Sequence, residues 1–298
     1  MLRPVQIITD SLLTNVGPLN VKQPLPVAAL RDADPFILLH HAGPQPVEPG
    51  VFHGRVDPHP HRGFEPVSFV YRGSLLHRDS LGNEGSISAG EVQWITSGRG
   101  IIHSEGPSEQ LLREGGELEI IQLWINLPAS KKMMEPAYQE IHRDAIPTVT
   151  ILGGGGELRL VAGELDGLRG PTTTQSPIMA AMGHISAGAS GELNVPPMPT
   201  LLLYVLGGSL RINGEHTVGR HKLVVFSDQG QSISIEATEE TDILLLAGEP
   251  LHEPMVAYGP FVMNTEDEIR QAFLDFRQGA MGRLDEERGI GIRKPIGI

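Results

Sequence analysis

VSFVY, EVQWITS, LEIIQLWINL, PTLLLYVL, KLVVFS, QSISIEA and TDILLLAG recur along this chain as strand-length apolar runs with turn residues at both ends. Several alternate in character with period two, so each such run has one face to bury. Glycine (36) and proline (24) are spread along the sequence instead of massed in one linker, which keeps the runs short. The pattern predicts an all-β protein of many short strands, a sandwich or barrel. At 298 residues the chain is long for one such unit and comfortable for two. VYRGSL at Val70–Leu75 returns as VLGGSL at Val205–Leu210, near half a chain later and again in strand-rich text. An echo of that period predicts a duplicated β-domain. The boundary is placed in the polar stretch near residues 129–145, giving an N-terminal unit of 1–137 and a C-terminal unit of 138–298.

Two stretches read as helix. ASKKMMEPAYQEIH is short and broken by Pro136. TEDEIRQAFLDFRQG carries a capping box in Thr265 and Glu268, an apolar face of Ile269, Ala272, Phe273 and Phe276, and a stop at Gly279. That stripe is expected against a barrel.

Composition narrows the chemistry. Lys plus Arg is 23 and Asp plus Glu is 36, a net charge of −13. A field of that sign repels nucleic-acid phosphate and anionic lipid, and no basic patch offsets it, so direct nucleic-acid binding is not expected. No apolar run reaches the roughly 18 residues of a membrane helix, and MLRPVQIITD has no apolar core of a secretory signal. A cytoplasmic monomer is expected, with the nucleus also open to it if the source is eukaryotic. Without cysteine there are no disulfides, thiolate nucleophiles, Fe–S clusters or Cys-type zinc sites. Metal chemistry must rest on carboxylates and the 12 histidines.

The densest histidine text is VDPHPHRGF, Val56–Phe64. Pro58 and Pro60 disfavour helix, and on an extended segment His59 and His61 share a face. GRGIIHSE, Gly98–Glu105, repeats the spacing with His103 and Glu105 behind β-prone Ile101 and Ile102. If the two segments are neighbouring strands, three neutral imidazoles and one carboxylate converge. Such a set suits one divalent first-row ion with open positions, iron(II) first, with manganese, nickel, copper, zinc and cobalt left open. An HxH pair alone is a weak signal, since a lone histidine in a β-protein is usually a surface or satisfied core residue. Two pairs in the same half are a stronger one.

PHPHRGFEPVSFVYRG, HRDSLGNEG, GEVQWITSGRGIIHSEGP, QLWINLP at Gln122–Pro128 and GEPLHEPMVAYGPFVMNTEDEIRQAF together resemble the pirin family of the cupin superfamily, from about Asp34 to about Phe276. The resemblance implies a bicupin: two facing β-barrels, a C-terminal helix, and one metal in the N-terminal barrel held by His59, His61, His103 and Glu105. The usual cupin carboxylate follows shortly after HxH, where Glu65 stands. In pirins it follows the later histidine, which selects Glu105 and leaves Glu65 either to orient an imidazole or to serve the structure. Some pirins resemble flavonol 2,3-dioxygenases acting on quercetin. That implies a small aromatic substrate and O2, with Glu105 also the catalytic base. The alternative is a metal- and redox-dependent regulator that binds a transcription factor or a metabolic enzyme as its protein partner, without catalysis.

In the second half no HxH or HxE occurs. Counting from Gly208 and Gly219 as from Gly73 and Gly90 lands on Asn194, Pro196, Ser232 and Ser234, so no metal is expected there. His216 and His221 read as solvated. His40 and His41 face opposite ways on a strand, so one of them can approach the barrel mouth. His53 and His77 read as rim or surface, and Arg62 and Arg99 as salt-bridge residues or cations at a pocket entrance. Phe64, Trp94 and Met182 are the aromatic and apolar candidates for a pocket wall.

Overall fold

The computed structural model describes residues 1–17, 19–50 and 55–284. Its strands form two matching sets. In the first, a seven-stranded antiparallel sheet runs in the order Ala137–Ile141, Val92–Thr96, Phe64–Arg72, Gly116–Asn126, Phe36–Val47, Leu19–Leu25, Leu12–Val16. Its companion is a four-stranded sheet ordered Val56–His61, Ile101–Pro107, Ser74–Asp79, Glu84–Ser88. The second set repeats this plan. Seven strands run Val5–Asp10, Lys222–Phe226, Thr200–Gly207, Thr241–Gly248, Ile178–Ile185, Gly156–Ala162, Thr148–Ile151, with four more, Ser190–Asn194, Ser232–Ala237, Ser209–Ile212, His216–Gly219. The all-β bicupin expectation is the observed fold.

The repeated VxxGSL is the same turn in both halves. Gly73 (φ 76°) and Gly208 (φ 84°) sit where an added Cβ would meet backbone or side-chain oxygen at 2.3 Å, so only glycine fits before the strands that follow. At the next equivalent turn Gly90 donates to Val70 O (2.7 Å), and in the second half it is His221, not Gly219, that donates to Val205 O (2.6 Å). The duplication is thus shifted by two residues from the count made on glycines.

Period-two alternation explains the layers. On the large N-terminal sheet Leu39, Phe69, Ile121, Leu123 and Trp94 face one way, and they pack against Leu202, Leu223, Leu244 and Met182 of the other large sheet. The two seven-stranded sheets therefore stand back to back, and their contact is the central core. Inside the C-terminal barrel apolar chains such as Leu158, Leu203, Val224, Ile235 and Leu245 fill the space. Inside the N-terminal barrel the apolar cluster is smaller, built on Leu19, Val21, Val70, Leu75, Ile87 and Ile120.

Sheet membership does not follow a single cut at 137/138. Val5–Asp10 pairs with Lys222–Phe226 in the second sheet, and Ala137–Ile141 pairs with Val92–Thr96 in the first. Each half lends an edge strand across the chain, and a linear boundary cannot show this. The helix expected near 129–145 is also corrected. The stretch holds two single-turn 3-10 helices, Ala129–Lys131 and Arg143–Ala145, around the strand Ala137–Ile141. Pro136 and the edge of the first sheet decide that outcome, because pairing satisfies the backbone where the proline interrupts a helix. The C-terminal helix, Glu266–Arg277, has the expected capping box, with Thr265 accepting from Glu268 N and the Glu268 side chain returning to the Thr265 N–H. Ile269 and Ala272 are buried against Phe261, Met263, Met281 and Ile102, while Phe276 is 37% exposed and stands outside the cluster. The helix therefore braces the outside of Ile101–Pro107.

Candidate metal centre

The strands Val56–His61 and Ile101–Pro107 are antiparallel neighbours, with His103 opposite His59 and Ile101 opposite His61. This brings the three imidazoles together, each offering a ring nitrogen within 4.8 Å of the others. His59 Nε2 and His103 Nε2 are 2.9 Å apart. Two ligand atoms at right angles on one ion, with metal–nitrogen bonds of about 2.1 Å, lie about 3.0 Å apart. His59 Nδ1 bonds to its own segment at Asp57 O (2.8 Å), which fixes the ring and leaves Nε2 for an ion. Burial lowers the pKa of all three. His61 and His103 are further depressed by their imidazole neighbours and lie well below the usual value. Three neutral nitrogen donors, two buried and one half-buried, converging on one point are the donor set a divalent first-row ion takes.

Glu105 stands next to this group but outside it. A register shift between His103 and Glu105 carries it past the rung and opposite Val56. Its carboxylate accepts from Ser68 Oγ and Gln93 Nε2, each at 3.4 Å, and burial raises its pKa to about 7 against those bonds. The extra residue of that shift lies on Val56–His61, and Ile101–Pro107 runs in regular register against Ser74–Asp79. His103 and Glu105 therefore keep the shared face that period two predicts, with Glu105 one step along and outside the imidazole group. The centre is held from outside. Lys132, buried with its pKa lowered to about 8 by burial, donates to Gly63 O (2.8 Å), Asn126 Oδ1 (2.6 Å) and Val262 O (3.0 Å) just beyond His61.

His59 and His61, with His103 fully buried beside them, open onto a cavity of about 470 Å³ in the N-terminal barrel. Its wall is mostly apolar, with Leu38, Val21, Ile120 and Trp124 prominent, and it also carries His40, Gln122 and Glu105. The size falls within the range of small-molecule sites. The expected wall residues are elsewhere. Trp94 and Met182 lie in the core between the barrels, and Phe64 packs behind His61 against Trp124 at 4.2 Å. Trp124 is the aromatic wall that those expectations missed. Its signal was present in Ile120, Gln122 and Trp124, which alternate on one face of Gly116–Asn126.

The remaining site expectations resolve from packing. Glu65 accepts from Trp94 Nε1 (3.0 Å) and Thr96 Oγ1 (2.7 Å) and, among the described residues, bonds no imidazole, which fits the structural reading. Arg62 pairs with Asp275 at 2.7 Å and Arg99 with Glu135 at 2.9 Å, and neither lines the cavity. His77 corrects the surface reading. It is fully buried, stacked on Tyr138 at 4.5 Å, bonded to Asp79 Oδ2 (3.1 Å), and 5.5 Å from the His103 ring. His40 lines the cavity, whereas His41 points into the core between the barrels, bonded to Tyr204 Oη (3.0 Å) and Glu119 (3.1 Å). His221 is not solvated as expected but half-buried 5.4 Å from the His41 ring, while His216 stays near the surface beside Glu215. His53 lies outside the described residues. In the second barrel, register counted from Leu210–Ala237 as from Leu75–Pro107 puts Ile233 where His103 stands, opposite Leu193, and both are buried apolar residues.

Residues 19–125 match the Pirin family model, and residues 181–282 match the model of the Pirin C-terminal cupin domain. The chain belongs to the pirin family. A Pseudomonas aeruginosa pirin relative that bears the provisional name quercetin 2,3-dioxygenase is 41% identical over 245 residues, spanning 82% of this chain and 85% of its own length. Human Pirin is 35% identical over 260 residues, 85% of this chain and 84% of its own. The crystal structure of a quercetin 2,3-dioxygenase from Acinetobacter baumannii superposes with a TM-score of 0.89 at 36% identity, covering 95% of this chain and 99% of that one. Among the described residues no helix is long and apolar enough to cross a membrane.

Proposed function

We propose that this pirin is a metal-dependent dioxygenase of the quercetin 2,3-dioxygenase type, opening the heterocycle of a flavonol with O2. In this reading His59, His61, His103 and Glu105 hold one divalent ion, iron(II) by preference. The observation that carries it is the cavity: His59 and His61 line an apolar chamber of about 470 Å³ together with Glu105, while His103 is fully buried beside them. A centre serving only as a structural or regulatory switch has no need of such a chamber.

A bound divalent ion supplies a positive centre that favours an anionic oxygen and eases loss of a proton from a hydroxyl. The chain supplies the rest. Glu105 lines the chamber and takes the proton of the flavonol 3-hydroxyl on a carboxylate oxygen, within reach because both face the same space. Ser68 and Gln93 hold that carboxylate in place. Trp124, Leu38 and Ile120 flank the aromatic rings. The apolar wall keeps bulk water from returning the proton, so the electron-rich flavonolate meets O2 and the ring opens with release of carbon monoxide.

The test is anaerobic loading of the metal-free protein with iron(II), followed by O2 uptake and carbon monoxide detection with flavonols. Glu105→Gln is expected to keep part of the metal and to lose about a hundredfold or more in turnover. If the loaded protein binds its ion and consumes no O2 with any flavonol or enediol, the dioxygenase reading falls. The regulatory reading, with a transcription factor or metabolic enzyme as partner, then takes its place.

A further inference from the structure

Five neighbouring strands of the large N-terminal sheet carry a line of polar side chains across the barrel interior. His40 lies opposite Gln122, Gln122 opposite Ser68, and Ser68 opposite Gln93, with Gln23 in the bulge beside His40. Hydrogen bonds run inward from both ends. At one end Gln23 Nε2 donates to Pro26 O (2.7 Å), which turns Gln23 Oε1 to His40, and His40 Nε2–H donates to it (2.7 Å). At the other end Gln93 Nε2 donates to Glu105 (3.4 Å), and Ser68 Oγ shares its one proton between Gln122 Oε1 (3.2 Å) and Glu105 (3.4 Å), which turns Gln122 Oε1 toward Ser68.

The line stops between His40 and Gln122. Among the described residues His40 Nδ1 and Gln122 Nε2 have no protein partner, and neither atom is sealed from solvent. Because Nε2 carries the His40 proton, Nδ1 presents a lone pair. Burial, which lowers the His40 pKa to about 4, keeps the ring neutral. Gln122 Nε2 presents N–H. An acceptor and a donor thus stand side by side on adjacent strands, at the wall of an otherwise apolar chamber.

We propose that His40 and Gln122 form a subsite for a phenolic hydroxyl of the substrate, distinct from the hydroxyl that meets the metal. The hydroxyl donates to His40 Nδ1 and accepts from Gln122 Nε2, which closes the line. A hydrogen in its place leaves both groups unmatched. A methoxy oxygen accepts but cannot donate. A site built around a hydroxyl rejects the analogue that lacks it, because buried polar groups are then left unpaired. The subsite makes this chain selective for polyhydroxylated aromatic substrates. It rests on the flavonol reading of the chamber.

The experiment uses the full chain loaded with nickel(II) under nitrogen, so that binding is measured without turnover. Quercetin, kaempferol, galangin and 3-hydroxyflavone, which shed hydroxyls stepwise, are titrated by absorbance and tryptophan fluorescence. One step in the series is expected to weaken binding to the native protein about tenfold or more. That step is expected to vanish in His40→Phe and in Gln122→Leu, while 3-hydroxyflavone binds both variants as it binds the native chain. His40→Asn, which keeps a side-chain acceptor, is expected to restore part of it. Nickel content and melting temperature report folding, and if His40→Phe does not fold, Gln122→Leu carries the test. No step in the native series, or a step unchanged in both variants, overturns the subsite and leaves the flavonol reading standing. Failure of all four compounds to bind the loaded native protein overturns the flavonol reading, and the subsite with it.

Discussion

Tyr204→Phe tests how the two barrels are joined. Tyr204 is fully buried on the second barrel and its hydroxyl donates to His41 Nδ1 on the first (3.0 Å). The direction is set by the far side of the ring, where Nε2–H donates to Glu119 Oε1 (3.1 Å) and Arg72 Nε holds the other carboxylate oxygen at 3.1 Å. Burial works against the Glu119 charge, but His41, Arg72 and Lys22 outweigh it and hold its pKa below the ordinary value. The substitution keeps the ring and its packing and removes one donor, so His41 Nδ1 is left buried and unpaired. Orphaning a buried acceptor costs about 1–3 kcal/mol. With an unfolding entropy of about 2.1 cal/mol/K per residue, a chain of this length unfolding as one unit loses about 2–5 °C in Tm. Urea unfolding followed by fluorescence measures the free energy, and calorimetry measures the Tm. In a His41→Leu background the same change is expected to cost at least about 1 kcal/mol less, because the partner is already gone. Metal content is expected to stay at the native level, since His41 faces away from the imidazole cluster. A loss below about 0.5 kcal/mol, or an equal loss in both backgrounds, would refute this account of the interface.

His59→Ala and His103→Ala are each expected to lower metal occupancy at least tenfold with little change in far-UV circular dichroism; full occupancy in both would sink the ligand assignment. Burial pushes His40 and His221 down to about 4 from about 6.5 in the unfolded chain, so the unfolded state binds more protons between those values. In the metal-free protein the contribution of these two histidines should therefore be fullest above pH 6.5 and be lost as pH falls toward 4, while Glu65 and Glu105, raised to about 7 by burial, act with the opposite sign. His40→Asn should flatten that slope by up to about 1.4 kcal/mol per pH unit, and parallel urea-midpoint curves for the two proteins would contradict it. Thr265→Ala removes the acceptor for Glu268 N and should cost about 1 kcal/mol in the helix that braces Ile102, read as a lower urea midpoint.

Much of the fold is legible because it rests on local rules. Alternation marked the strands, the glycine at each VxxGSL turn marked the duplication, and Thr265 with Glu268 marked the last helix. The three imidazoles were legible for the same reason, since Pro58 and Pro60 hold HxH extended and period two aligns the rings. The failures share a cause as well. His77 read as surface and His221 as solvated because burial is decided by what packs over a residue, here Tyr138 for His77 and the first barrel, through His41, for His221. Phe64, Trp94 and Met182 were taken for pocket residues on their size and aromatic or apolar character, which do not say which side of a sheet is hollow.

The amino-acid order by itself determined which side chains share a face, because alternation along an extended backbone is a property of the chain alone. Thus His59 goes with His61, and His40 is opposed to His41. Which face looks into a chamber and which into the core between the barrels was decided only when two distant sheets met back to back. So was the bulge in Val56–His61 that sets Val56, not Asp57, opposite Glu105. So was the exchange that places Val5–Asp10 on the second barrel. These outcomes depend on pairing between segments far apart in sequence, where register and edge partners are set by the packing of the whole.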